Sequence, residues 1–260
     1  ASPPGEAPDL PSRSESRTDS AFRSAGGPAR GGRLNRVRRG SERAGAGMGT
    51  EERIERAGLL HERAIFGGEV DALVMAEREL DAVEADLALA RGKVAQARSL
   101  AEGDEDPQGL PLLERAARLY RTLGDSRGEG EALLWTALFH QVVRRDDDTA
   151  VPILERSYEL ATRIGDRMTM SYAIRHLGIA EHTAGRLEVA RERLEESVRL
   201  RRELGFLPGV AANLVGLCYI ALAQGHRDDA LALVEEAGTL AEATGAKAVL
   251  RQAEEARGQL

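Results

Sequence analysis

The residues that could do chemistry are three histidines, His140, His176 and His182, a run of aspartates, Asp146-Asp147-Asp148, a basic cluster of Arg199, Arg201 and Arg202, and a single cysteine, Cys218. Zinc-binding histidines on a helix stand three or four residues apart so that both nitrogens share a face. The nearest pair here, His176 and His182, is six apart, and His61-Glu62-Arg63 does not extend to a second histidine, so no metal site is expected. The aspartate run lacks the alternation, central glycine and distant glutamate of a calcium loop, and reads as a solvated turn with a helix cap. The three arginines are interleaved with Leu200 and flanked by Glu195, Glu196 and Glu203, which predicts charge pairing along one helix. No nucleophile is paired with a base, no two carboxylates share an apolar setting, and no glycine loop follows a strand. The expectation is a chain that is not an enzyme and takes no cofactor.

Cys218 lies in the apolar run Leu217-Cys218-Tyr219-Ile220 and has no second cysteine to pair with, which predicts a buried small hydrophobe in a reducing cytoplasm. Residues 1–47 carry nine Arg against five acids, a charge of +4; with −7 for the whole chain, the remainder is −11. An acidic body repels phosphate, so direct nucleic-acid binding is not expected even though all but two of the 36 basic residues are Arg. No stretch approaches the roughly 18 consecutive apolar residues of a membrane span.

Residues 1–47 also hold five of the nine prolines and eight glycines with almost no apolar periodicity, and are expected to form a disordered tail. The first methionine, Met48, immediately precedes the start of helical patterning and is read as the natural start of the chain, the rival readings of residues 1–47 being a genuine flexible tail or a targeting peptide, which their five acids disfavour. From there to residue 260 a single repeating domain is expected. Leu110-Pro111-Leu112-Leu113-Glu114-Arg115-Ala116 returns 41 residues later as Val151-Pro152-Ile153-Leu154-Glu155-Arg156-Ser157. Leu194-Glu195-Glu196-Ser197 and Val234-Glu235-Glu236-Ala237 occupy the same place at further intervals of forty. Gly124, Gly165, Gly205 and Gly245 close successive units, where a helix ends in a left-handed turn. Within a unit, Met170, Ala173, Ile174, Leu177 and Gly178 fall at helical spacing, as do Leu187, Ala190, Leu194, Ser197 and Val198 after a break at Ala184-Gly185-Arg186. Two antiparallel helices per unit follow. With aromatics only 3% of the chain, Ala and Leu must fill the core, which suits closely packed helices. Pro111 and Pro152 are expected in the first turns of their helices. Upstream, Glu51–Phe66 and Glu69–Ala101 read as a less regular helix pair, the second either continuous or kinked near Gly92. The segment Lys247–Gly258, with its polar face, is expected to cap the last unit.

Ile174-x-x-Leu177-Gly178 with Ala190, Leu194 and Ser197 resembles the tetratricopeptide repeat, as do Leu214-x-x-Leu217-Cys218 with Ala230, Val234 and Ala237 and, with one extra residue in its turn, Leu134-x-x-Ala137 with Ala150, Leu154 and Ser157. The resemblance covers roughly residues 83–246. The units run 40 or 41 residues where that family has about 34, and Glu181 or Ala221 stands where it has an aromatic. The longer spacing is similar to repeats in the sensor regions of bacterial transcriptional regulators, but the chain has neither a phosphate-binding Gly-x4-Gly-Lys-Ser/Thr loop nor an appended helix-turn-helix.

The resemblance implies an all-α, right-handed superhelix, an α-solenoid, whose first helices line a concave groove that binds protein or peptide. Either a scaffold or a ligand- or peptide-sensing module of a bacterial regulatory system fits. Aligning the units on Ala137, Gly178 and Cys218 makes Trp135, Gln141, Tyr172, Arg175, His176, Ile179, His182 and Tyr219 the candidate partner-binding residues. Trp135, the only tryptophan, reads as a groove anchor or a core residue, and Arg175 beside His176 as a receiver of a partner carboxylate or half of an intramolecular ion pair. The family's carboxylate-clamp subgroup has Asn in the row held here by Trp135, His176 and Gly216, so recognition of chaperone tails is not expected; Asn213 lies one row away.

Overall fold

The computed structural model describes residues 48–260; the reading of residues 1–47 as a disordered tail lies outside them. Ten α-helices follow one another with no strand among the described residues: α1 (Thr50–Gly67), α2 (Asp71–Glu102), α3 (Gly109–Leu123), α4 (Ser126–Leu138), α5 (Asp147–Ile164), α6 (Arg167–Thr183), α7 (Leu187–Glu203), α8 (Leu207–Ala223), α9 (Arg227–Thr244) and α10 (Lys247–Arg257). Consecutive helices pack in pairs, and α4, α6, α8 and α10 also touch in sequence, so the first helices of successive units form a row. Apolar packing has no single centre. One cluster runs from Ala85 to Leu177 and the next from Ile179 to Ala256, each helix pair covering its neighbour.

The turns follow from backbone geometry. Gly124, Gly165, Gly205 and Gly245 all have φ between +66° and +76°, the left-handed region that side chains with a Cβ avoid. The opposite turns use Gly185 and Gly225 and, forty residues earlier, Arg145 at φ +57°. The extra residue of the first unit lies before that point, where α4 ends in a π-helical segment, Phe139–Val143, with the Arg144 N–H on the Phe139 carbonyl at 3.2 Å. A one-residue insertion is thereby absorbed inside the helix and not in the loop.

One open element reading is settled and another adjusted. α2 is continuous through Gly92, where an added Cβ would lie 2.5 Å from Leu113 Cδ2, so that glycine serves close packing and not a kink. Pro152 lies inside α5, because the Asp146 carboxylate accepts the Thr149 N–H at 3.0 Å and starts the helix a turn earlier than the proline would.

The small residue on which the units align has a packing role. An added Cβ on Gly178 would meet Leu194 Cδ1 at 2.3 Å, so α6 and α7 approach as closely as backbone allows. The second helices are tied back by their serines: Ser157 Oγ donates to the Gly130 carbonyl and Ser197 Oγ to that of Ser171.

Candidate functional site

Helices flanked on both sides in a row have few faces left for solvent. α8 is buried without interruption from Gly209 to Ala221, and α6 from Ala173 to Ala180. This corrects the expectation that side chains beside the core stripe point into an open groove. Arg175, His176, Gln141 and Ile179 are at most 1% exposed, Tyr219 4% and Trp135 7%. Tyr172 and His182 are half-buried.

The buried candidates divide into two polar networks. In the first, Gln141 Nε2 donates to Asp147 Oδ1 at 2.9 Å and to the His176 carbonyl at 3.1 Å. Its Oε1 is thus the acceptor for His176 Nδ1 at 2.6 Å, which fixes the histidine as the Nδ1–H tautomer. Burial, reinforced by the nearby Arg175 and Arg201, holds the His176 pKa well below the usual imidazole value, so the ring is neutral.

The second network joins three helices. Arg175 on α6 donates through Nη1 to Asn213 Oδ1 at 2.7 Å and to the Ala212 carbonyl at 3.1 Å. Arg201 on α7 donates through its own Nη1 to the same Asn213 Oδ1 at 2.9 Å and to the Gly209 carbonyl at 2.8 Å. Asn213 Nδ2 continues to Ser197 Oγ at 2.7 Å. The Arg201 guanidinium lies over the rings of Tyr172, at 4.6 Å, and Phe206, at 5.5 Å. Gly209 makes room for this, since a Cβ there would stand 2.4 Å from Phe206 Cδ1 and 3.0 Å from Arg201 Cδ.

Both guanidinium groups are effectively out of solvent, at 1% and 2% exposed. Burial, followed for Arg175 by repulsion from Arg201, pulls Arg175 down to about 9 and Arg201 to about 10, so both remain charged at neutral pH. Tyr172 partly offsets the shift, and no carboxylate among the described residues acts on either group. Among the described residues Arg175 is held by the amide of Asn213 and the Ala212 carbonyl, not by a neighbouring repeat's acid.

Sequence reasoning missed Arg201 and left Asn213 aside. Arg199 and Arg202 do pair with acids, Arg199 with Glu196 on the same helix and Arg202 with Glu236 across to α9 at 2.6 Å. Arg201 turns inward. The signal was its register: Ala190, Leu194 and Ser197 continue to position 201, whose counterparts forty residues either side, Ala161 and Ala241, are buried. In the same way Arg175 stands in the row of Leu134 and Val215, and Asn213 in that of Ala132 and Ala173. Three apolar rows become polar at one place in space.

A further line of contacts crosses the row of first helices. Lys93 Nζ lies 4.9 Å from the Trp135 ring centroid, Trp135 and Tyr172 are 6.5 Å apart, and Tyr172 and Phe206 are 6.0 Å apart. Lys93 also pairs with Glu131. Among the described residues no cluster of three His, Cys, Asp or Glu side chains could hold a metal ion, and no helix is long and apolar enough to cross a membrane. The chain matches no known family model and no curated protein.

Proposed function

We propose that this protein is a non-enzymatic binding module of tetratricopeptide type, wound as a right-handed superhelix, that holds an extended protein segment along its row of first helices. The observation that carries this reading is the unbroken line Lys93, Trp135, Tyr172, Phe206, with Arg201 stacked on the last two rings. It crosses α2, α4 and α6 to the start of α8; the half-buried Tyr172 and Phe206 rings are the faces within reach of a partner, with Arg201 buried against them and half-buried Lys93 at the α2 end. Aromatic rings held rigid by packing bind at low entropic cost, and basic groups beside them favour acidic segments. Of the eight candidates, half-buried Tyr172 and His182 are directly reachable from solvent; buried Trp135 packs beside Tyr172.

Selection of a displayed random peptide library on the immobilised full chain tests this. Peptides rich in acidic and aromatic residues are expected, with binding lost in Tyr172→Ala and reduced in Lys93→Glu. Failure to enrich any sequence, or binding by both variants as tight as the parent's, would overturn the reading. A ligand-sensing role is a second reading, favoured by the charged pair Arg175 and Arg201 inside the stack.

A further inference from the structure

Two like charges placed side by side away from water are normally removed by mutation or matched by an acid, because desolvating an unpaired ion costs far more than its hydrogen bonds to neutral groups return. Arg175 and Arg201 have one amide oxygen and two backbone carbonyls between them. In each, Nη1 is engaged, while Nε and Nη2 meet no protein acceptor among the described residues. That pair of atoms is the edge through which a guanidinium receives a carboxylate or phosphate by two parallel hydrogen bonds. Both arginines thus turn the same edge away from the protein acceptors around them, and a single atom, Asn213 Oδ1, holds the two groups next to each other.

The replacement of apolar residues in three separate repeat rows at this one point is a second, independent observation. A stack that needed only cohesion would carry Leu, Ala and Ala here as its other units do. The half-buried rings of Tyr172 and Phe206 stack on Arg201, so they are the side chains that stand between its guanidinium and solvent.

We infer that Arg175 and Arg201, held together by Asn213, form a binding site for a compact oxyanion, a carboxylate or phosphate group, which enters past Tyr172 and Phe206. The site goes beyond the peptide reading and does not depend on it. A free small dianion and the carboxylate of a peptide offer the same chemistry.

Thermal unfolding and titration calorimetry of the full chain distinguish these sources. Inorganic phosphate and succinate stand for the free anion; a peptide with a free C-terminal carboxylate, compared with its amidated form, stands for the second source. At least one probe is expected to raise the melting temperature beyond chloride at equal ionic strength. Arg175→Met and Arg201→Met should weaken that binding about thirtyfold or more, while matching or exceeding the parent in stability when no anion is present. Arg201→Lys keeps the charge and loses the fork, and should bind as poorly as Arg201→Met. Should the methionine variants fail to fold, the Nε–H resonances of Arg175 and Arg201 in the unaltered protein give the answer, since they shift on saturation only if the forks are occupied. No response to any probe, a response retained in the variants, or folded methionine variants that are less stable than the parent would overturn the site. Library-selected peptides whose binding ignores Arg175→Met and Arg201→Met would leave the peptide reading standing and remove this one.

Discussion

The hydroxyl of Ser157 on α5 donates to the backbone carbonyl of Gly130 on α4 at 2.7 Å. Forty residues later Ser197 repeats the bond to the Ser171 carbonyl at 2.5 Å. These are equivalent positions of successive units, so one side chain ties the second helix of each to the first. Ser157→Ala should lower stability by about 1 kcal/mol. Ser197→Ala should lower it more, because Ser197 Oγ also accepts from Asn213 Nδ2 and its loss strands a buried amide. Urea denaturation of the two variants checks the order.

Gly178 gives a steric test. An alanine there would press its Cβ against Leu194 Cδ1, and the Ala190 carbonyl at 3.3 Å leaves little room to retreat. Gly178→Ala is expected to cost about 1–3 kcal/mol. Combined with Leu194→Ala it should cost less than the sum of the two single changes, since the clash disappears with the leucine. Simple additivity in the denaturation midpoints would mean that the two helices do not meet here.

His176 makes stability depend on pH in a definite direction. Its folded pKa is depressed below the ordinary value of 6.5, so between the two values the unfolded chain binds a proton that the folded chain refuses. Its contribution is full above about pH 6.5 and is lost progressively as pH falls below it. His140, also depressed by burial, acts in the same sense. His176→Gln should flatten the decline in melting temperature from pH 7 to 5 without abolishing it. An unchanged slope would place the acid sensitivity elsewhere.

Much of this fold could be read from the chain because its repeating features answer to the backbone. A left-handed turn selects Gly124, Gly165, Gly205 and Gly245, and a close helix approach selects Ala137, Gly178 and Cys218. The extra residue of the first unit was visible as a spacing of 41, but its placement in a π-helical segment depends on which hydrogen bonds shift, and residue types do not encode that. The candidate site was legible only in part. Tyr172 and Arg175 are among the candidates and both stand at the charged cluster, but residue chemistry suggests exposure for Arg175 and Arg201 where register dictates burial. Reading Arg201 against Ala161 and Ala241 assigns it to the interior; reading it against Arg199 and Arg202 assigns it to the surface.

The proposed partner segment lies along the row of first helices. Hydrogen exchange of the full chain, with and without a library-selected peptide at saturation, measures this most directly. Slowed exchange is predicted in α4, α6 and the start of α8, around Trp135, Tyr172 and Phe206, with α5, α7 and α9 unchanged. Protection centred on α5, α7 and α9, or spread evenly through the stack, would contradict it.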